Sequence, residues 1–164
     1  ARDRIGPVVA SDAPPSQWPD EVLDFRGEAN PEASMARTPP PFRPRGVRIL
    51  VSDLLWAGDP AAFVKQFAAG AATTAVVQVL ARADADPQLT GEVRLVDSET
   101  GLARDLTIDD AALARVRRRL TDLQTDWARA TRRVGGVFCP ITAENFLADW
   151  RLPELTATEL LKVS

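Results

Sequence analysis

The sequence predicts an α/β domain: an open parallel sheet flanked by helices, with a β-hairpin inserted between two of its strands. Three features carry that expectation. The runs Ile49-Leu50-Val51 and Val76-Val77-Gln78-Val79-Leu80 are nearly continuous in apolar residues, as strands covered on both faces are. Between them an Asp-Pro pair opens a stretch with apolar residues at helical spacing, so the unit reads strand, helix, strand, and a right-handed crossover sets the two strands parallel. A long amphipathic helix then leads into a third apolar run, Val137-Phe138-Cys139.

Along the chain, residues 1–46 differ in composition from residues 47–164, the α/β portion. Ile5-Gly6-Pro7-Val8-Val9-Ala10 reads as a short strand, with Pro7 placing it near an edge. Pro14, Pro15, Pro19, Pro31, Pro39, Pro40, Pro41 and Pro44 follow, leaving room for one short helix around Asp20–Arg26. Such a segment is expected to be irregular and partly extended. It either wraps over a neighbouring surface or offers a ligand to a proline-recognising module.

Val47–Leu55 is the first regular strand, apolar on both faces at its centre. Asp59 can cap the helix that follows, and Pro60 is preorganised for its first position. Phe63, Val64 and Phe67 form the buried stripe, and Gly70 stops the helix. Thr74–Leu80 is the second strand. The hairpin arms Val93–Val96 and Leu102–Ile108 flank the polar turn Asp97-Ser98-Glu99-Thr100-Gly101. The longest helix covers about Asp109 to Val134, with Leu113, Val116, Leu120, Leu123, Trp127, Ala130 and Val134 on one face. Asp109 and Asp110 suit its N-terminus, Arg132 and Arg133 its C-terminus, and Gly135-Gly136 ends it. After Val137–Cys139, Thr142 caps a further helix that turns Phe146, Leu147 and Trp150 inward. In the tail, Thr156 and Glu159 fit a capping box, with Leu155 and Leu160 as the staple around a brief last helix.

Composition narrows the function. The chain has 164 residues, is 45% hydrophobic and 26% charged, and carries a formal net charge of −3. That suits one globular domain and leaves no overall attraction to nucleic acid. Arg115, Arg117, Arg118 and Arg119 have no interleaved aromatic residues, so they read as a solvated helix face. The 18 Arg against 2 Lys read as a biased genome. No apolar run reaches the roughly 18 residues of a membrane span, and the first residues lack the order of a signal peptide. The opening Ala1-Arg2 suggests that the natural chain starts upstream. Cys139, the single cysteine, reads as a packed thiol in a reducing compartment, hence a cytoplasmic protein. There is no His and no Tyr. This removes Ser/His and Cys/His nucleophilic machinery, His–metal sites and the commonest general base. A non-catalytic role is expected.

Ligands of open parallel sheets bind beyond the carboxyl ends of the strands. Ser52-Asp53, Asp84 with Asp86, and Thr142 with Glu144 fall there. Oxygens converging at one edge would suit a hard cation such as Mg²⁺; alternatively Asp53 only terminates its strand. Asp84-Ala85-Asp86 is also similar to the Asp-x-Asp pair of haloacid-dehalogenase-like phosphatases, one carboxylate nucleophile and the other acid/base. Here Pro87 follows it.

Gly46-Val47-Arg48-Ile49-Leu50-Val51-Ser52-Asp53-Leu54-Leu55 resembles the fourth-strand region of von Willebrand factor A-like domains. More closely, it resembles the bacterial domain-of-unknown-function 58 family, often encoded beside MoxR-type AAA+ ATPases. Thr74–Leu80, Val93–Gly101, Ala143–Leu147 and Asp3–Gly6 extend the resemblance in the same order. It implies a parallel sheet between helices with a metal-ion-dependent adhesion site at the carboxyl edge. That site takes an Asp-x-Ser-x-Ser motif, a Thr from a middle loop, and an Asp that maps onto Asp53, beside Ser52. The sequence has no Asp-x-Ser-x-Ser, and Gly27-Glu28-Ala29-Asn30-Pro31 has no Thr where the loop belongs. Mg²⁺ is therefore expected to bind weakly or not at all, and no cofactor is implied. The resemblance also implies that the family's central strand is missing, which leaves one flank of Val47–Leu55 open. The implied function is a protein-binding module, an adaptor for a MoxR-type AAA+ ATPase or its client. A phosphatase-like hydrolase using Asp84 and Asp86, or a structural domain with a decayed metal site, are the alternatives.

Overall fold

The computed structural model describes residues 31–37, 42–96, 101–149 and 156. The strand expected at 5–10, the helix at Asp20–Arg26, the loop at 27–30, the hairpin tip at 97–100, Trp150 and most of the tail lie outside them. In order the elements are α1 (Pro31–Arg37), β1 (Val47–Ser52), α2 (Pro60–Ala68), β2 (Thr73–Leu80) and α3 (Arg82–Ala85). They continue with β3 (Gly91–Val96), β4 (Ala103–Ile108), α4 (Asp110–Arg133), β5 (Val137–Thr142) and α5 (Ala143–Asp149).

The sheet is parallel, in the order β1-β2-β5. Ile49 lies beside Ala75 and Val51 beside Val77; Val77 in turn lies beside Cys139. β3 and β4 form a separate antiparallel pair. β2 is the interior strand and is buried along most of its length. β5 is longer than the apolar run suggested. It continues through Pro140, which is exposed, a residue that an edge strand tolerates because one side of its backbone needs no donor.

α2 and α4 each begin on an aspartate. The Asp59 carboxylate accepts a hydrogen bond from the Ala61 amide at 2.9 Å, and Pro60 stands at the first turn of α2. The Asp109 carboxylate accepts from the Ala112 amide at 2.6 Å. Each satisfies a donor that the first helical turn leaves free. α4 ends in a Schellman arrangement. Gly135, at φ 72°, donates to the Arg132 carbonyl at 3.0 Å, and Gly136 donates to the Thr131 carbonyl at 2.9 Å.

The core cluster lies on one face of the sheet, while Ala75, Val77 and Cys139 are buried on the other. Phe63, Val64 and Phe67 of α2 meet Val76 of β2 and Trp127 and Ala130 of α4, with Leu50, Leu123 and Phe138 at the margin. The sequence stripe of α4 holds at Leu113, Trp127 and Ala130, but Val116 and Val134 are exposed at 46% and 37%. Val134 is the C-cap, past the last packed turn of the helix.

Three further points differ from or refine the sequence reading. First, the partly irregular segment before residue 47 contains a regular stretch. Residues 31–37 are helical, and Met35 is 1% exposed within the core. The Met35 carbonyl accepts from Gln66 Nε2 at 3.2 Å, and Phe42 packs edge-on against Phe67. Second, β1 ends at Ser52 and is not covered on both faces. Val47, Ile49 and Val51 are exposed at 65%, 58% and 63%. Third, Leu147 of α5 faces outward, while Phe146 is half-buried.

Arg48 points to the core side of β1 and is buried. Its guanidinium lies 4.3 Å from the centre of the Phe42 ring and donates to the Phe67 carbonyl at the end of α2. A cation at a helix C-terminus meets the negative end of the macrodipole, and the aromatic face adds a cation–π contact.

Two outcomes follow from this packing. A methyl added at Gly136 would meet the Thr74 carbonyl oxygen at 2.7 Å and Thr131 Cγ2 at 3.0 Å. Gly136→Ala should lower unfolding free energy in urea by about 1–3 kcal/mol; an unchanged midpoint would contradict the close approach. In native-state hydrogen exchange, alternate amides of β1 should exchange fast, since β1 has a ladder partner only on the β2 side among the described residues. Uniform slow exchange through 47–52 would show a second neighbour.

Candidate functional site

The carboxyl edge of the sheet gathers Ser52 and Asp53 at the end of β1, Arg82 and Asp84 after β2, and Thr142 and Glu144 at the end of β5. Ser52 and Asp53 are engaged within their own turn, and Glu144 with Arg82. Asp53 holds its own turn: its Oδ1 accepts from the Leu55 amide at 3.0 Å, and Ser52 Oγ accepts from the Leu54 amide at 3.1 Å. Short polar side chains compete in this way for nearby backbone amides and thereby end strands. Leu54 takes φ 61° in that turn and is fully buried. A left-handed non-glycine residue costs about 1–2 kcal/mol, which the burial of its side chain offsets.

Behind the turn sits Gln78, which is fully buried on β2. Its Nε2 donates to the Asp53 carbonyl at 2.8 Å, and its Oε1 accepts from Gln124 Nε2 at 2.8 Å. One amide thus links the end of β1 to α4 across the core. A polar residue inside an apolar strand run was the signal for it in the sequence. Arg48 in β1 gave the same signal.

Between β2 and β5, the Glu144 carboxylate accepts from the Arg82 amide at 2.8 Å, and Asn145 Oδ1 accepts from Arg82 Nη2 at 3.1 Å. Asp84 lies exposed on the short helix α3. Asp86, just past that helix, receives Arg117 Nε at 2.8 Å on one oxygen and Gln88 Nε2 at 2.8 Å on the other. Arg117 and Asp86 are both about half exposed, so their pair is worth little, yet it fixes α3 against α4.

The expected convergence of oxygens is not found. Among the described residues, no three of Cys, Asp and Glu gather where they could hold a metal ion. The described residues therefore do not fit a Mg²⁺ centre, and Asp53 is committed to a turn. Cys139 is buried in β5 at 2% exposure.

An exposed apolar surface lies elsewhere, on β1. Val47, Ile49 and Val51 alternate onto the sheet face opposite the core cluster, and among the described residues the outer backbone edge of the strand has no ladder partner. Apolar side chains in a row beside an open edge are what native sheets ordinarily avoid. No helix among the described residues is long and apolar enough to cross a membrane.

Comparison with known proteins returned no match to a family model, to a curated protein or to a solved structure.

Removal of the Asp53 carboxylate checks its role in the turn. Asp53→Ala should cost about 1 kcal/mol of stability, equally with and without Mg²⁺. Titration calorimetry should show no sub-millimolar Mg²⁺ binding by the unaltered chain; such binding, abolished by Asp53→Ala, would restore the metal reading.

Proposed function

We propose that this chain is a non-catalytic protein-binding module whose contact surface is β1. The observation that supports this reading is the exposure of Val47, Ile49 and Val51 at 65%, 58% and 63% on a strand whose outer edge has no ladder partner among the described residues. Such an edge accepts an extended segment by strand addition. Main-chain hydrogen bonds then supply affinity, and the alternating side chains supply selectivity. Following the resemblance of residues 46–55 to the domain-of-unknown-function 58 family, the partner is a MoxR-type AAA+ ATPase or its client, met in the cytoplasm. A phosphatase-like role for Asp84 and Asp86 draws no support from the geometry, because Asp86 is bonded to Arg117 and Gln88.

Ile49 and Val51 contribute nothing to the core cluster, so Ile49→Glu with Val51→Glu should leave the fold intact. Biolayer interferometry against a purified MoxR-type ATPase of the same organism should show binding by the unaltered chain. At least a tenfold loss is expected in the double variant, about 1.4 kcal/mol. Binding that survives both substitutions would move the contact away from β1, and Mg²⁺-dependent hydrolysis of a generic phosphomonoester would replace the reading with an enzymatic one.

A further inference from the structure

The hairpin β3–β4 is a second exposed element, remote in sequence from β1 and chemically different from it. Along β3 only Val93 is half-buried, and along β4 only Ile108; every other residue of the pair is exposed. A two-stranded ribbon open on both faces is marginal in water. On one face Val93 lies opposite Leu106, Gly91 opposite Ile108 and Leu95 opposite Arg104. On the other Glu92 lies opposite Thr107 and Arg94 opposite Asp105, with Val96 and Ala103 at the end towards the turn.

The charges on β3 are self-complementary. Two strands related by a two-fold axis normal to their sheet pair antiparallel, and residues equidistant from the axis face each other. With the axis at Val93, Glu92 of each copy faces Arg94 of the other. Val93 faces itself, and Gly91 leaves room beside the opposite Leu95. Arg94 already stands 4.0 Å from Asp105 across its own hairpin, with both side chains well exposed. It would then lie between two carboxylates, its own Asp105 and the second copy's Glu92. β4 offers nothing equivalent: an axis at Arg104 or at Asp105 sets like charges against each other, and an axis at Leu106 sets Arg104 against Ile108.

We infer that this chain self-associates through the outer edge of β3, joining two hairpins into a four-stranded antiparallel sheet. The occupant of that edge is a second copy, selected by the reciprocal Glu92–Arg94 pairs. This does not depend on the role proposed for β1.

Symmetry makes the test sharp, because one substitution alters two contacts. Glu92→Arg presents two arginines to two arginines, and Arg94→Glu two glutamates to two glutamates. Sedimentation equilibrium should show a monomer–dimer equilibrium for the unaltered chain, and self-association of either variant weakened about tenfold. An equimolar mixture of the two variants should regain the dimer. In the mixed pair the introduced arginine faces the introduced glutamate, and the native Arg94 of one copy faces the native Glu92 of the other. Circular dichroism checks that both variants keep their fold. A chain that stays monomeric into the millimolar range overturns the inference, as do variants that dimerise unchanged or a mixture that fails to recover. A dimer lost on Ile49→Glu but kept in Glu92→Arg would place the contact on β1 instead, and would overturn it as well.

Discussion

Phe63 stacks on Phe67 and meets Trp56 and Trp127 edge-on, with ring centroids 5.6–5.9 Å apart. These contacts join α2, the turn after β1 and α4 into one layer over a single sheet face. Aromatic pairs of this geometry contribute about 0.5–1.5 kcal/mol each beyond the area they bury. Because the layer covers one face, elements lose stability with their distance from it. Val76 and Leu54 are sealed. The hairpin and the far side of β1 receive almost none of this burial, which leaves their apolar side chains exposed.

Local chemistry made the helices legible. Asp59-Pro60 and Asp109 announce helix starts through interactions that involve only adjacent residues, and Gly135-Gly136 announces an end in the same way. Parallel pairing was legible too, because a strand, a helix and a strand of these lengths leave one favourable connection. What the sequence concealed depends on distant partners. Ile49 and Val51 look the same in a covered strand as in an uncovered one, since periodicity reports side-chain chemistry and not whether a neighbour exists. Met35 sits among prolines and polar residues, and only the groove beside Phe63 makes it core. Asp53 was correctly placed at the strand end, where its carboxylate accepts from the Leu55 amide two residues on.

Two polar residues within the core restrict how it can be assembled. Gln78 must find both the Asp53 carbonyl and Gln124, and Arg48 must find the end of α2. A slip of β1 against β2 by one residue would strand these groups without partners, at a cost of about 1–3 kcal/mol each. Apolar contacts alone would tolerate such a slip more readily than these hydrogen bonds do. The register is thereby specified from inside the domain, which matters for a strand that has one ladder neighbour among the described residues.

The aromatic layer has an optical consequence as well. Trp56 and Trp127 stand 5.3 Å apart with their rings inclined at 73°. At that separation the indole transitions couple and split into a pair of bands of opposite ellipticity. One indole rides on the turn after β1 and the other on α4, so the couplet reports the seating of one on the other. It would collapse if α4 lifted away while remaining helical, distinguishing a loosened domain from an unfolded one without any added label.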